Sequence, residues 1–208
     1  MRRYSACALA LLVATTPALV VAVAPAPVRA QTQADPAAQQ IDRLNGVLLD
    51  TLKQAKQLGP KGRFSKLEPA ISQIFDLPSM TRFAVGSTWS TLQPADQQAL
   101  VRAFARMTVA TYAHNFDGYN NQRFVIDKVE TRGPDKLVRT RLIGGADTTN
   151  LTYRMRQFNG TWKVIDVYYN ATVSSLLGQR SEYASTLKTG GASALVKKLN
   201  SRADELLA

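Results

Sequence analysis

A single acid interrupts an otherwise apolar, strand-like run: Asp166, within TWKVIDVYY at residues 161–169. A carboxyl group in such a place has two uses. In an apolar pocket, with its pKa raised and an oxyanion partner beside it, it is a general base. Tyr112, Tyr153, Tyr168 and His114 are the candidates for that partner. Bonded instead to backbone N–H groups or to an arginine, it pins one element to another. Little else in the chain offers covalent chemistry. The one cysteine, Cys7, lies in an apolar leader, so the rest of the chain has no thiol nucleophile and no cysteine metal site. The one histidine, His114, falls within the apolar stripe of a long helical stretch and reads as a hydrogen-bonded core or boundary residue. No nucleophile elbow, phosphate loop or glycine-rich dinucleotide fingerprint occurs. No metal and no cofactor is expected, and the two uses of Asp166 stay open on the residues alone.

The leader is legible on its own. Arg2 and Arg3 open the chain, residues 6–24 are apolar and uncharged, and Val28-Arg29-Ala30 ends in the small residues a signal peptidase reads. Residues 1–30 are expected to be a secretory signal peptide cleaved after Ala30. Pro17, Pro25 and Pro27 argue against an uncleaved membrane anchor. The remaining residues, 31–208, are expected to form a single domain that is exported to the periplasm without disulfides and held by its core alone. Loss of three arginines with the leader lowers the net charge from +11 to +8. That balance suits anionic membrane surfaces or acidic partners, and equally a solvated basic surface with no role. No arginine-rich tract or nucleic-acid motif is present, and nucleic acid is not expected as a partner.

Helices come first. Asp35-Pro36 has the form of an N-cap followed by a first-turn proline, and Ile41, Leu44, Leu48 and Leu52 recur at helical spacing until Gly59-Pro60. Leu67, Ile71, Ile74 and Phe75 continue on a second helix, and Asp76-Leu77-Pro78 begins a short third one that closes near Gly86. The longest apolar stripe, with Leu100, Phe104 and Met107 in line, predicts a helix over 94–116. The period then changes from helical to two. Four strands are predicted, at 123–131, 137–143, 150–157 and 162–169, separated by turns at Gly133-Pro134-Asp135, 144–147 and Asn159-Gly160. Val138, Thr140 and Leu142 alternate with Arg139 and Arg141, and Leu151, Tyr153 and Met155 with Thr152, Arg154 and Arg156. One sheet face is thus apolar and the other basic and wet. The fourth strand has apolar residues on both faces and no readable orientation. Two helices, over 172–188 and 192–207 and joined at Gly190-Gly191, close the chain.

This order predicts an α+β fold: a four-stranded antiparallel meander with N- and C-terminal helices packed on one face, cone-like in the NTF2-like manner, with an apolar cavity between. Apolar lining is abundant. Phe104, Met107 and Tyr112 stand on the long helix, Phe124, Ile126, Val138, Leu142, Tyr153 and Met155 on the sheet, and Leu176, Tyr183 and Leu187 on the helix after it. These residues could fill a solid core or line a ligand site, since such sites are mostly apolar with few polar groups.

Several short motifs resemble one family. The run from Phe75-Asp76-Leu77-Pro78 through Met80 and Ala84-Val85-Gly86 to Trp89 is similar to the signature of the MlaC (toluene-tolerance) family of periplasmic lipid-binding proteins. Trp162-Lys163-Val164-Ile165-Asp166-Val167 resembles that family's last strand, Arg180-Ser181-Glu182-Tyr183 its RSEF-like segment, and Gly190-Gly191-Ala192-Ser193-Ala194-Leu195 a late glycine element. Phe116-Asp117-Gly118-Tyr119 looks closer to the hopanoid-associated HpnM branch. Two positions depart from the family pattern: Asn170-Ala171 in place of an acid and a glycine, and Gln93 in place of a capping serine. The resemblance implies a carrier that binds a phospholipid or hopanoid through the twelve apolar residues just named and performs no covalent chemistry. It also implies partners: an inner-membrane transporter of ABC or RND type, and transient contact with a membrane or an outer-membrane complex. Asp166 would then be the pin, bonded to backbone or to an arginine such as Arg180, and Arg139, Arg141, Arg154 and Arg156 would form a docking face or merely a solvated one.

Overall fold

The computed structural model describes residues 35–144, 148–170 and 173–208. The expected signal peptide lies outside the described residues, as does most of the expected turn at 144–147.

Helix α1 (Pro36–Lys53) begins as its first residues dictate: the Asp35 carboxylate accepts a hydrogen bond from Ala37 N at 2.9 Å and Pro36 occupies the first turn. Its buried face is the expected one, Ile41, Leu44, Leu48 and Leu52. The helix stops one turn before Gly59-Pro60, where Gln54 N–H folds back onto Leu52 and Thr51 carbonyls. Gly59, at φ 61°, instead kinks α2 (Ala55–Ile74). Arg63 of α2 is buried and donates to Ala113 O at 2.7 Å and Ala55 O at 3.1 Å. It thereby satisfies a carbonyl in the last turn of α4 (Pro94–Asn115) that the helix itself leaves open. Between them α3 (Leu77–Val85) is capped by the Asp76 carboxylate, which accepts from Ser79 N, and a 3₁₀ turn (Gly86–Thr91) leads on to α4.

The sheet is antiparallel in the order β1 (Arg123–Arg132), β2 (Asp135–Ile143), β3 (Thr149–Phe158), β4 (Thr161–Tyr169), β5 (Val173–Ser174). It has five strands where four were expected; the fifth has two residues, too few to carry a period. Asn159 (φ 47°) and Gly160 (φ 80°) form the tight hairpin their types require. Two bulges break the ladder, one at Asp127 in β1 and one at Ile165 in β4. The second explains why β4 defied orientation. The extra residue shifts the alternation midway, so Val164 and Val167, three apart, both stand on the apolar face opposite Met155 and Tyr153.

Helix α5 (Ser175–Leu206) is one element with a kink at Gly191 (φ 66°), so the two closing helices expected on either side of Gly190-Gly191 are its two arms. The helices gather against the apolar sheet face, with α1 across β1, β2 and β4, and α2, α3 and α5 against β4. Lys136 ties α1 to the sheet: its Nζ lies 2.6 Å from the Asp35 carboxylate and 4.8 Å from the Trp162 ring centroid. Across the fold, Asp76 N donates to Val164 O at 2.9 Å, anchoring the α2–α3 junction to β4.

Candidate functional site

Asp166 is buried, and its hydrogen bonds lie along the junction of β4 and α5. Oδ1 accepts from Val167 N at 2.8 Å and from Leu176 N at 3.3 Å; Oδ2 accepts from Ser174 Oγ at 2.7 Å. Ser174 Oγ in turn accepts from Leu177 N, capping α5. The carboxylate therefore joins the end of β4 to the first turn of α5, where helix N–H groups favour an anion. Both of its oxygens are engaged, and it lines none of the clefts described below. The arginine considered as its partner is elsewhere: Arg180 lies 5.4 Å over the Phe83 ring, its guanidinium packed against Gly86. His114 is also displaced from its expected place, being exposed in the last turn of α4 rather than in the core or at its boundary.

Among the described residues, a narrow cleft of about 130 Å³ lies between helices and sheet. Phe75 and Met80 wall it on one side, Phe104, Thr108, Thr111 and Tyr112 of α4 on a second, Val167 and Tyr169 of β4 on a third, and Ser175 and Gln179 of α5 close it. Phe75 meets Tyr112 edge-on at 5.7 Å, and stacked contacts at 5.9 Å and 6.2 Å continue the aromatic row through Phe116 to Phe124. The lining contains no Asp, Glu, His, Lys or Arg. Burial pushes the Tyr112 hydroxyl well above the ordinary phenol range, with Tyr153 and Tyr169 adding to the shift, and burial likewise raises Tyr153. Both stay neutral at any physiological pH. Such a cleft can desolvate apolar groups; it offers no acid or base to move a proton.

The cleft opens beside an apolar rim. Of the five large hydrophobic side chains exposed among the described residues, four follow one another here: Tyr169 pairs with Val173, Leu177 follows one turn into α5, and Arg180 leads on to Phe83. A second cleft, of about 400 Å³, is lined by Met107 of α4 together with Gln179, Glu182, Tyr183, Leu199 and charged residues of the second arm of α5. Gln179 belongs to both.

Of the apolar residues singled out from sequence, Phe104 and Tyr112 line the first cleft and Met107 and Tyr183 the second. Val138, Tyr153, Met155, Leu176 and Leu187 are packed in the core and line neither cleft, while Phe124, Ile126 and Leu142 are half-buried against it. Sequence reasoning missed Thr108, Thr111, Ser175 and Gln179. Their signal was polarity on inward-facing helical positions, which marks a wall that is not fully packed. It also missed Val167 and Tyr169, hidden by the β4 bulge.

The outer sheet face carries the four arginines, each engaged by a carboxylate. Arg139 bonds Glu130 at 3.0 Å, Arg141 bonds Asp127 through two contacts of 2.6 Å, and Arg154 and Arg156 both reach the buried Asp135 at 2.5 and 2.6 Å. Lys128 and Arg132 also lean on Glu130, so six basic side chains share three carboxylates and three positive charges remain in surplus. Hydrogen bonds from Lys128 and Arg139 hold Glu130 down at about 2. For Asp135, burial opposes ionisation, but the hydrogen bonds and charges of Arg156 and Arg154 outweigh it and keep the carboxyl below its ordinary range. Among the described residues no group of three or more His, Cys, Asp or Glu could hold a metal, and no helix is long and apolar enough to cross a membrane.

Residues 42–201 match the family model described as MlaC protein. Among solved structures, the phospholipid-binding protein from Ralstonia solanacearum, determined in complex with a phospholipid, is similar. It shares 24% sequence identity, with 84% of this chain and 100% of that chain covered and a TM-score of 0.73. At that identity the likeness is one of fold. No curated protein matches the chain.

Proposed function

Because the chain belongs to the MlaC family, we propose that it is a periplasmic lipid carrier, a single exported domain that takes the apolar part of a phospholipid or hopanoid between its helices and sheet. The observation that carries this reading is a cleft walled mainly by aromatic and aliphatic side chains, with a few neutral polar groups and no carboxylate, imidazole or basic side chain, opening beside an exposed apolar rim. The phospholipid held by the Ralstonia protein of the same fold supports it.

The physics of such a carrier is simple. Moving roughly thirty CH₂ groups through water unshielded costs on the order of 24 kcal/mol at about 0.8 per group. A carrier hides them. Loading from a membrane exchanges one apolar surrounding for another, so the net free energy is small and transfer is reversible without a chemical step. The cleft's 130 Å³ falls below the roughly 300–1,000 Å³ of ordinary ligand pockets. Loading therefore requires the helical walls to part, selecting an open state that the lipid then stabilises. No covalent chemistry is part of this proposal, since Asp166 spends its acceptors on the β4–α5 junction.

Delivery requires partners: an inner-membrane transporter of ABC or RND type, and contact with a membrane or an outer-membrane complex. The surplus positive charge of the outer face, with Arg139, Arg141, Arg154 and Arg156, is the proposed docking surface for one of them. Native mass spectrometry of the mature protein purified from its source tests the carrier reading. One lipid mass per chain is expected, and a bare chain that also fails to extract lipid from vesicles would refute it.

A further inference from the structure

The seam where the two clefts meet holds polar atoms that nothing in the fold uses. Gln179 and Tyr183 stand four residues apart on one face of α5. Gln179 Oε1 and the Tyr183 hydroxyl are both buried and without a hydrogen-bond partner, and Tyr183 as a whole is 2% exposed. Buried polar atoms are nearly always paired, and one left open in a native site calls for an explanation. Tyr183 lines the second cleft, and Gln179 lines both. We propose that this seam is a polar subsite that receives a free hydroxyl group of the lipid cargo, with the apolar part of the same molecule in the first cleft.

The chemistry of the seam selects the group. An amide oxygen needs a donor, and a phenol can donate or accept. A hydroxyl can donate to the open amide oxygen of Gln179 and accept from the phenol of Tyr183. An ester carbonyl or a phosphate oxygen only accepts and leaves the amide oxygen open. The charges around the second cleft cancel in pairs, Glu182 with Lys198 at 2.7 Å and Arg202 with Glu205 at 2.8 Å, so no uncompensated cation is offered to a phosphate. Burial raises the Tyr183 phenol above its ordinary range, with the nearby Glu182 adding to the shift, and this keeps it a neutral donor. The preferred cargo is thus a lipid with an unesterified hydroxyl at its polar end, as in a monoacylglycerol, a glycerol headgroup or a hydroxylated ring.

This inference rests on the carrier reading, and two probes separate them. In displacement of an apolar fluorophore from the full mature chain, 1-monooleoylglycerol and methyl oleate offer the same acyl chain with and without hydroxyls. The wild type is expected to favour the first by about tenfold, the difference made by hydrogen bonds to otherwise open partners. Tyr183→Phe and Gln179→Leu should each bring the ratio toward one. Tyr183→Phe should melt at or above the wild-type temperature, because no internal bond is lost. Equal affinities in the wild type, or a lowered melting temperature for Tyr183→Phe, would overturn the subsite and leave the carrier standing. If the wild type binds neither probe, the subsite falls, while the carrier reading is decided separately by lipid extraction from vesicles.

Discussion

Replacing Asp166 by Asn keeps the shape of the β4–α5 junction and removes its charge. In the native chain the carboxylate accepts three hydrogen bonds, from Val167 N, Leu176 N and Ser174 Oγ. Bonds to a charged acceptor contribute about 1.5–3 kcal/mol against about 0.5–1.5 for neutral ones, a loss of about 1 kcal/mol for each of the three. The favourable placement of an anion at a helix N-terminus adds about 0.3–1 kcal/mol to the loss. Against this, a neutral amide avoids the cost of burying a carboxylate. The balance is a destabilisation of about 2 kcal/mol, or about 4–8 °C in the melting temperature of a domain this size. Asp166→Ala should cost more, since two backbone N–H groups and a hydroxyl then lose their partner at about 1–3 kcal/mol each. Ser174→Ala, which removes both the bond to Asp166 and the cap on Leu177 N, should couple with Asp166→Asn in a double-mutant cycle. Thermal melts followed by circular dichroism measure these quantities, and lipid uptake from vesicles is measured well below every midpoint. The reasoning fails if Asp166→Asn melts like the wild type yet no longer takes up lipid. That result would mean the carboxylate acts on the ligand and not on the junction.

Three other perturbations separate site from scaffold. Thr108→Phe projects a ring into the cleft of about 130 Å³ and should lower lipid uptake at least tenfold, at a folding cost of about 1–3 kcal/mol for the tighter packing; full uptake would mean the chain lodges elsewhere. Asp135, whose carboxyl sits below its unfolded value of 3.8 when folded, contributes stability that is present above that value and is lost as pH falls through the lower folded one. Urea midpoints of the wild type should therefore drop below about pH 4, and Asp135→Asn should flatten that limb; an unchanged limb would mean that the pairing with Arg154 and Arg156 contributes nothing. Gly86→Ala forces an L residue into φ 72°, with its Cβ 3.1 Å from Arg180 Nε, and should destabilise by about 1–3 kcal/mol, which a chemical denaturation curve would read.

What could be read ahead of the structure was whatever local chemistry determines. The Asp35-Pro36 cap, the apolar face of α1, the Asn159-Gly160 hairpin and the alternation in β2 and β3 each follow from a few adjacent residues, and each is present as read. Features that depend on a residue count rather than a residue type were not legible. The bulge at Ile165 has no signature of its own, yet it decides which side chains of β4 face the helices. The two-residue β5 is held by its pairing with Tyr168 and Tyr169, not by its own sequence. The twelve apolar residues chosen as lining were correctly apolar, but composition does not distinguish a wall from a filling. Tyr153 and Met155 fill, and Phe104 and Tyr112 line, because the cleft lies at the end of β4 where α5 begins and not at the middle of β3.

That placement links the structural acid to the cleft it does not line. Asp166 fixes the start of α5, and the same turn carries Ser175, which closes the cleft, and Leu177 on its rim; Gln179 follows one turn later. The other walls are tied to the sheet or to one another by equally specific bonds: Asp76 N on Val164 O holds the side that bears Phe75 and Met80, and Arg63 on Ala113 O holds the end of α4. Each wall is thus anchored by a polar contact, and α4 and α5 are also tied to each other away from the cleft, where Arg106 donates to Asn200 O at 3.1 Å and to Asp204 at 2.6 Å; the apolar side chains that line the cleft meet through dispersion and hydrophobic contact. Contacts of that kind are non-directional and are replaced at little net cost when an acyl chain slides between them. With directional bonds at the anchors and non-directional contact across the cleft, the proposed carrier would part its walls for cargo without unfolding, and Asp166 stands at one of the anchors.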